Sequence, residues 1–191
     1  DVEETASLKT IVTEKAKYHL VNDEEQLKEL IQLLNRQKEV CFDTETSSLE
    51  ARKAELVGIS FSFKPKEAYY VPILESKTLE ENRIQRFKDF FLNTSILKIG
   101  HNLKYDIKVL NRYGLSLSQN CFDTMIAHYL INPEARQSMD FLAGFYLNYK
   151  TISIEDLIGK KGKNQKSMKD LSPEMVCYYA SEDADITFQL K

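Results

Sequence analysis

The sequence has few of the features that mark membrane, secreted or zinc-binding proteins. Its three cysteines, Cys41, Cys121 and Cys177, form no CxxC pair, which favours buried, reduced thiols of an intracellular protein over a disulfide framework or a zinc site. No apolar run approaches the roughly 20 residues of a membrane span. The beginning, DVEETASLKT, lacks both a secretory signal and an initiator methionine. We therefore expect an excised or processed piece of a longer protein.

The composition is that of one globular domain. The 191 residues include 42% hydrophobic and 10% aromatic residues, a length at which roughly 70% of the surface of the unfolded chain becomes buried. No internal repeat or low-complexity segment occurs. The formal net charge is only −3, so a nucleic acid would have to bind at a local site rather than through the field of the whole protein.

Hydrophobic patterns predict strands first, and then strands that alternate with helices. After a short leader strand that begins at Tyr18, Asp23 and Gln26 form a capping box for an amphipathic helix over 24–36. Three strands with a turn at 64–66 between the last two indicate an antiparallel meander. From this order we expect an α/β fold, a mixed sheet flanked by helices. The strands of the meander are predicted at 39–46, 55–63 and 67–73, and one further strand is predicted at 96–100. Helices are predicted at 79–91, 102–113, 123–131, 138–148 and 173–190.

Acidic residues occur where a buried strand should continue. In EVCFDTET, residues 39–46, alternation places Cys41, Asp43 and Glu45 on one face. Two carboxylates so close repel and raise one another's pKa unless a cation or a proton lies between them. Taken alone, such a pair also fits the solvated edge of a sheet.

Two further motifs supply acids from other elements. GHNLKYD places Asn102 and Asp106 on one face of a helix, and YYASEDADIT does the same for Tyr179 and Asp183. Each motif also has an ordinary explanation. In the first motif, Asn102 would only cap the helix and Asp106 would be a surface acid. In the second, Asp183 would belong to a solvated acidic cluster at 182–185.

Taken together, the four carboxylates predict a metal site. Oxygen ligands select hard cations, and the three histidines, His19, His101 and His128, have no spacing suited to a softer metal. Two such cations about 4 Å apart can bind both the attacking and the leaving oxygen of a phosphodiester. We therefore expect two divalent cations, Mg²⁺ or Mn²⁺, as cofactors.

The order of the motifs FDTETSSL, GHNLKYD, FDTMIAHYL, MDFLAGFYL, KTISIEDLIGKKGKNQ and YYASEDADIT resembles the 3′-to-5′ proofreading exonuclease domain of bacterial DNA polymerase I. The resemblance extends from about Tyr18 to the end, so residues 1–17 are interpreted as a leader or linker and 18–191 as the exonuclease domain, without the polymerase domain. It implies a ribonuclease H-like fold and a monomer in the bacterial cytoplasm. The implied partners are DNA and the polymerase domain of the same parent chain, with no membrane.

The resemblance also implies a reaction and roles in it. The expected reaction is the removal of nucleoside 5′-monophosphates from single-stranded or frayed DNA 3′ ends. Asp43, Glu45 and Asp183 would hold one cation, and Asp43 would bridge to a second whose shell reaches Asp106 through water. Tyr179 would orient the attacking water, because a tyrosine with its ordinary pKa of about 10 is a poor general base.

Substrate contacts follow from the same resemblance. Leu49 matches a residue that wedges against the terminal base, and Asn102, Tyr105 and Arg136 match residues that touch the last nucleotides. Core packing of Leu49 and ordinary surface exposure of Arg136 are the alternatives. Ile154 stands where relatives carry an aromatic side chain, so base stacking worth roughly 1 to 3 kcal/mol would be lost. A basic run follows at Lys160, Lys161, Lys163, Lys166 and Lys169. These lysines either contact the backbone of a nucleic acid or are merely solvated.

Two other functions remain open at the level of the sequence. One is trimming of RNA 3′ ends as in ribonuclease D, which shares the four acids. The polymerase-like segment KTISIEDLIGKKGKNQ disfavours this alternative. The other is a non-catalytic domain that only holds DNA, and the intact set of acids disfavours it.

Overall fold

A computed structural model describes residues 8–73, 83–162 and 164–191. Within these residues, one sheet has six strands in the order β1-β4-β3-β2-β5-β6. The pairs β2–β3 and β3–β4 are antiparallel and the other three are parallel, so the predicted meander and the mixed sheet are confirmed. The strands are β1 (Lys17–Leu20), β2 (Glu39–Thr46), β3 (Leu56–Lys64), β4 (Glu67–Pro72), β5 (Leu97–Gly100) and β6 (Cys121–Asp123).

Helices cover both faces of this sheet. The capping box predicted before the first long helix is present, since Asp23 accepts a hydrogen bond from the Gln26 amide and the Gln26 side chain accepts one from the Asp23 amide. The helices are α1 (Ile11–Glu14), α2 (Glu24–Leu34), α3 (Lys88–Leu92), α4 (Leu103–Arg112), α5 (Thr124–Ile131), α6 (Met139–Leu147), α7 (Ile154–Ile158) and α8 (Pro173–Leu190), with a 3₁₀ turn at Met168–Asp170. None of the described helices is long and apolar enough to cross a membrane.

The alternation predicted for β2 is present in the packing. Val40 and Phe42 belong to the main apolar core, which contains α2, α3 and one side of α4. Cys41 points to the opposite face, where it packs against Ala184 of α8. Residues 43 and 45 continue the Cys41 face, so β2 presents its acids to α8.

Some expectations were wrong or only partly tested. After Gly114 the sequence predicts helices and no strand, but β6 extends the sheet there as a three-residue parallel strand beside β5. A strand this short has no readable period of two. Cys41 and Cys177 are buried as expected, whereas Cys121 is exposed on this edge strand. Part of the helix predicted at 79–91 lies outside the described residues.

Candidate active site

Three carboxylates from two elements meet between β2 and α8. Asp43 and Glu45 extend from β2, and Asp183 extends from the middle of α8. One ligand atom from each lies within 4.8 Å of the others. The structure therefore brings together residues that are about 140 positions apart in the chain, because α8 crosses the face of the sheet that these β2 residues share.

The local structure of the sheet shapes this cluster. Glu45 pairs with Gly58 of β3, and the register shifts between Glu45 and Thr46, an irregularity of the kind that redirects side chains next to active sites. A Cβ on Gly58 would lie 2.3 Å from the ring of Tyr70. Glycine at this position, which pairs with Glu45, therefore leaves room for the buried Tyr70 ring.

The charged state of these three carboxylates is strongly unfavourable when no cation is bound. Burial, and then the charge of Asp183, raise the pKa of Asp43 to about 8. The pKa of Asp183 is raised to about 8 as well, chiefly by burial, and that of Glu45 is raised well above its ordinary value by burial and by Asp43. Among the residues that the structure describes, no lysine or arginine forms an ion pair with these three acids.

The donor set fits a divalent cation. Glu45 Oε1 and Asp183 Oδ1 are buried and have no hydrogen-bond partner. Buried carboxylate oxygens are costly without a donor or a cation, and these two belong to the cluster of three. An oxygen-only set suits Mg²⁺ or Mn²⁺ better than zinc or copper.

Asp106 approaches from another element and has its own support. It lies in the first turn of α4, is only 3% exposed, and its Oδ1 accepts hydrogen bonds from the amide and the hydroxyl of Thr44 at 3.2 and 2.5 Å. Burial, and then the charge of Asp43, raise its pKa. Asp106 is thus electrostatically part of the site, although it is not one of the three clustered ligands.

Tyr179 lies one turn before Asp183 on α8. Its phenol lies beside the Asp183 carboxylate and lowers the pKa of Asp183 against the effect of burial. Burial, followed by the charge of Asp183, raises the pKa of Tyr179 far above its ordinary value. The phenol therefore keeps its proton and is available as a hydrogen-bond donor.

Two residues predicted to touch DNA flank the end of β2. Leu49 is 93% exposed, so the alternative that it packs in the core is wrong. The hydroxyl of Tyr105 contacts Thr46 Oγ1 at 2.5 Å and donates to the carbonyl of Ser48 at 2.5 Å. Tyr105 thereby ties α4 to the turn that carries Leu49.

The other predicted contacts are more scattered. Asn102 precedes α4 in a left-handed conformation, with φ 63°, and its side chain makes no capping hydrogen bond, so its interpretation as an ordinary cap is wrong. Arg136 is exposed, as is Ile154 at the start of α7. Of the basic run, Lys163 lies outside the described residues. The exposed members that the structure describes are Lys160, Lys161, Lys166 and Lys169.

The sequence alternative of a solvated acidic cluster at 182–185 is wrong. Glu182 is fully buried and accepts hydrogen bonds from the Tyr149 hydroxyl at 2.7 Å and the Ile152 amide at 2.6 Å. Asp185 accepts from the Tyr18 hydroxyl at 2.9 Å. Sequence reasoning missed these two structural acids, since their partners lie far away in the chain.

The family model described as 3′-5′ exonuclease matches residues 18–191. The chain is 44% identical over 187 residues to DNA polymerase I of Borreliella burgdorferi, covering 96% of this chain and 20% of the relative. The chain belongs to the 3′-5′ exonuclease family of bacterial DNA polymerase I. A second relative, DNA polymerase I of Pseudomonas aeruginosa, is 34% identical over 98% of this chain and 21% of its own length. The exonuclease chain thus spans about a fifth of the length of these relatives.

Solved structures agree on the fold. The catalytic core of RRP6 from Trypanosoma brucei superposes with a TM-score of 0.71 at 21% identity, over 96% of this chain and 46% of that one. Ribonuclease D of the same organism gives a TM-score of 0.74 at 16% identity, over 92% and 64%. The expected ribonuclease H-like exonuclease fold is confirmed, and this exonuclease family is metal-dependent.

Proposed function

We propose that this exonuclease domain removes nucleoside 5′-monophosphates from the 3′ ends of single-stranded or frayed DNA, as the proofreading domain of a DNA polymerase I. One observation carries the proposal. Glu45 Oε1 and Asp183 Oδ1 are buried without partners among the described residues in a cluster with Asp43, so the fold maintains a costly group of carboxylates that a bound cation would make favourable.

Asp43, Glu45 and Asp183 would hold one Mg²⁺ or Mn²⁺, and Asp43 together with Asp106 would hold a second. When bound, the cations would lower the pKa of a water molecule and offset the charge of the scissile phosphate. The protein's part is to present oxygen ligands from β2, α4 and α8 at a largely buried position, where charges interact more strongly than in water.

Tyr179 and Glu45 would orient the attacking water. The phenol of Tyr179 keeps its proton because its pKa is raised, so it donates a hydrogen bond from a fixed position beside Asp183. Glu45 would accept a hydrogen bond from the same water, since Glu45 Oε1 has no donor among the described residues. Positioning by a donor and an acceptor leaves proton abstraction to neither side chain.

The DNA end would enter beside the turn after β2. Leu49, exposed at this turn, would press against the terminal base, and Tyr105 would hold the turn in place. Asn102 and Arg136 would contact the last nucleotides. Ile154 offers no aromatic face, so binding of the end would rest more on backbone contacts, including those of Lys160 and Lys161.

The relatives suggest the setting in which the domain works. They are named DNA polymerase I and are about five times as long as this chain, so we propose that a polymerase domain of the same parent chain delivers the 3′ ends. We further propose that the protein acts in the bacterial cytoplasm and that the domain is a monomer.

Initial cleavage rates on three labelled DNA oligonucleotides test the proposal: a single strand, a duplex with a mismatched 3′ end, and a paired duplex. We expect rates in that order, because melting costs about 1.4 kcal/mol per stacked step, and EDTA should abolish all cleavage. Asp43→Ala serves as the inactive control. Equal rates on all three would contradict proofreading.

A matched RNA oligonucleotide extends the same test to the two other functions. Faster cleavage of RNA than of DNA would favour ribonuclease D-like trimming. DNA binding without any metal-dependent cleavage would favour a domain that only holds DNA.

A further inference from the structure

The motif FDTMIAHYL contains an acid whose role is not explained by the proposed chemistry. Asp123 ends β6 and precedes α5. Its Oδ1 accepts hydrogen bonds from the amides of Asn102 at 3.1 Å, Met125 at 2.9 Å and Ile126 at 3.2 Å, and its Oδ2 accepts one from Leu103 at 2.8 Å. One side chain therefore caps two helices, α4 and α5.

Helix α4 depends on this external cap because its own start is irregular. The first amides of a helix need acceptors, which the preceding side chain usually provides. Asn102 occupies that position in a left-handed conformation, with φ 63°, and its side chain makes no capping bond. The carboxylate of Asp123 is the acceptor instead.

The sheet places the cap beside α4. Gly100 of β5 and Asp123 of β6 are paired in register. Thr124 Oγ1 donates to the Gly100 carbonyl at 3.2 Å and bonds to His101 Nδ1 at 2.9 Å. Residues 123 and 124 thus define the path of the chain from β5 into α4.

Asp106 lies one turn beyond this capped start, with its carboxylate bonded to Thr44 of β2. We propose that Asp123 is a positioning residue of the exonuclease site, which fixes the start of α4 and thereby sets the place of the Asp106 carboxylate relative to Asp43. The inference rests on the proposed function, in which Asp43 and Asp106 hold the second cation. Asp123 acts only through α4.

Asp123→Asn separates the two caps. The amide oxygen of asparagine can take the place of Oδ1 and keep the hydrogen bonds to α5 and to Asn102. The amide NH₂ then takes the place of Oδ2. It faces the Leu103 N–H as a second donor, so this hydrogen bond is lost. Asp23→Ala is the matched control. This variant removes a helix cap of the same type from α2, namely the hydrogen bond of 2.8 Å from the Gln26 amide to Asp23. Helix α2 carries none of the site residues.

We expect Asp123→Asn to fold and to weaken the binding of Mn²⁺ roughly 10-fold, as loss of a group that orients a metal ligand typically does. The electron paramagnetic resonance signal of free Mn²⁺ measures this binding without any turnover. Amide hydrogen exchange at Leu103 should become faster, and kcat should recover at high Mn²⁺ while KM for a single-stranded oligonucleotide stays unchanged. Asp23→Ala should change stability alone.

Unchanged Mn²⁺ binding in Asp123→Asn, or a loss equal to that of Asp23→Ala, would overturn the proposal. If Asp123→Asn does not fold, Asp123→Ser decides, because a serine hydroxyl can cap α5 but is too short to reach Leu103. If neither folds where Asp23→Ala does, Asp123 determines the fold and is not a positioning residue. An inactive wild-type protein would refute the proposed function instead, and Mn²⁺ binding and hydrogen exchange would still test the positioning.

Discussion

Thr44 Oγ1 donates a hydrogen bond of 2.5 Å to Oδ1 of Asp106, although 62 residues separate them in the chain. The Thr44 amide donates to the same oxygen at 3.2 Å. The residue between the two acids of β2 thus orients the acid of α4. A single strand therefore controls three of the four proposed metal ligands, two as its own side chains and one through Thr44.

Thr44→Val should uncouple Asp106 from β2. Valine has nearly the same shape but no hydroxyl, so a buried carboxylate oxygen loses one of its two donors, at a cost of about 1–3 kcal/mol. We expect this loss in urea unfolding and a fall of roughly 10-fold in kcat/KM on single-stranded DNA. Thr44→Ser keeps the hydroxyl and should restore most of both, and failure of this rescue would show that shape rather than the hydrogen bond matters.

Tyr179→Phe should slow cleavage modestly. The variant removes one hydrogen-bond donor and leaves every carboxylate in place, so the expected loss in kcat is about 5- to 10-fold, equivalent to about 1 kcal/mol. Asp43→Ala should cost at least about 100-fold, because a lost metal ligand removes several kcal/mol of transition-state stabilisation. Single-turnover rates with saturating Mn²⁺ measure both. An equally large loss in Tyr179→Phe would point to proton transfer by the phenol.

The cation-free domain should become less stable as the pH rises from 5 to 9. Asp43 and Asp183 have pKa values of about 8 in the folded protein, above the value of about 4 in an unfolded chain. The folded state therefore favours their protonated forms, and the stability that these forms contribute is lost as the pH rises through 8. We expect the free energy of unfolding in EDTA to fall by about 2 kcal/mol or more across this range.

Two comparisons assign this pH dependence to the cluster. Asp183→Asn should flatten the curve, because the amide carries no charge at any pH in the range. Mn²⁺ should stabilise the wild type most at pH 8 and above, where both carboxylates are charged. A wild-type curve that is flat in EDTA would contradict the raised pKa values.

The sequence predicted the long elements of the fold well, for a physical reason. In strand β2 the alternation of side chains can be read directly, and helix α2 buries Leu27, Leu30 and Leu34 on one face, so its period of about 3.6 residues can be read as well. Strand β6 has only three residues, and its place at the edge depends on pairing with β5. Such an element is defined by its neighbour, and the local sequence does not reveal it.

For the candidate site, too, the sequence predicts the parts that depend on local spacing and not the contacts between distant residues. The acids of β2 share a face by alternation, and Asp183 follows Tyr179 by one helical turn. The external cap that Asp123 provides for α4, and the bond from Thr44 to Asp106, join residues that are 20 or more positions apart. Spacing along the chain carries no information on such contacts.

Adjacent acids on α8 should behave in opposite ways. Glu182 accepts hydrogen bonds from the Tyr149 hydroxyl and the Ile152 amide, whereas Asp183 Oδ1 has no partner among the described residues. Glu182→Ala leaves two buried donors unsatisfied, at about 1–3 kcal/mol each. We therefore expect Glu182→Ala to lower the free energy of unfolding by about 3 kcal/mol or more. Asp183→Ala should leave it unchanged or raise it in EDTA, because the relief of repulsion between the carboxylates offsets the lost contact with Tyr179.

Activity should follow the reverse order. Per folded molecule, Glu182→Ala should cleave single-stranded DNA at close to the wild-type rate, since its carboxylate faces Tyr149 and Ile152 and not the cluster. Asp183→Ala should lose nearly all cleavage, because it removes one of three clustered ligand groups. Urea unfolding in EDTA and initial rates with Mn²⁺, measured below the unfolding transition of both variants, separate the two effects. An inactive but stable Glu182→Ala would place Glu182 in the chemistry, and an unstable Asp183→Ala would mean that the carboxylate of Asp183 supports the fold.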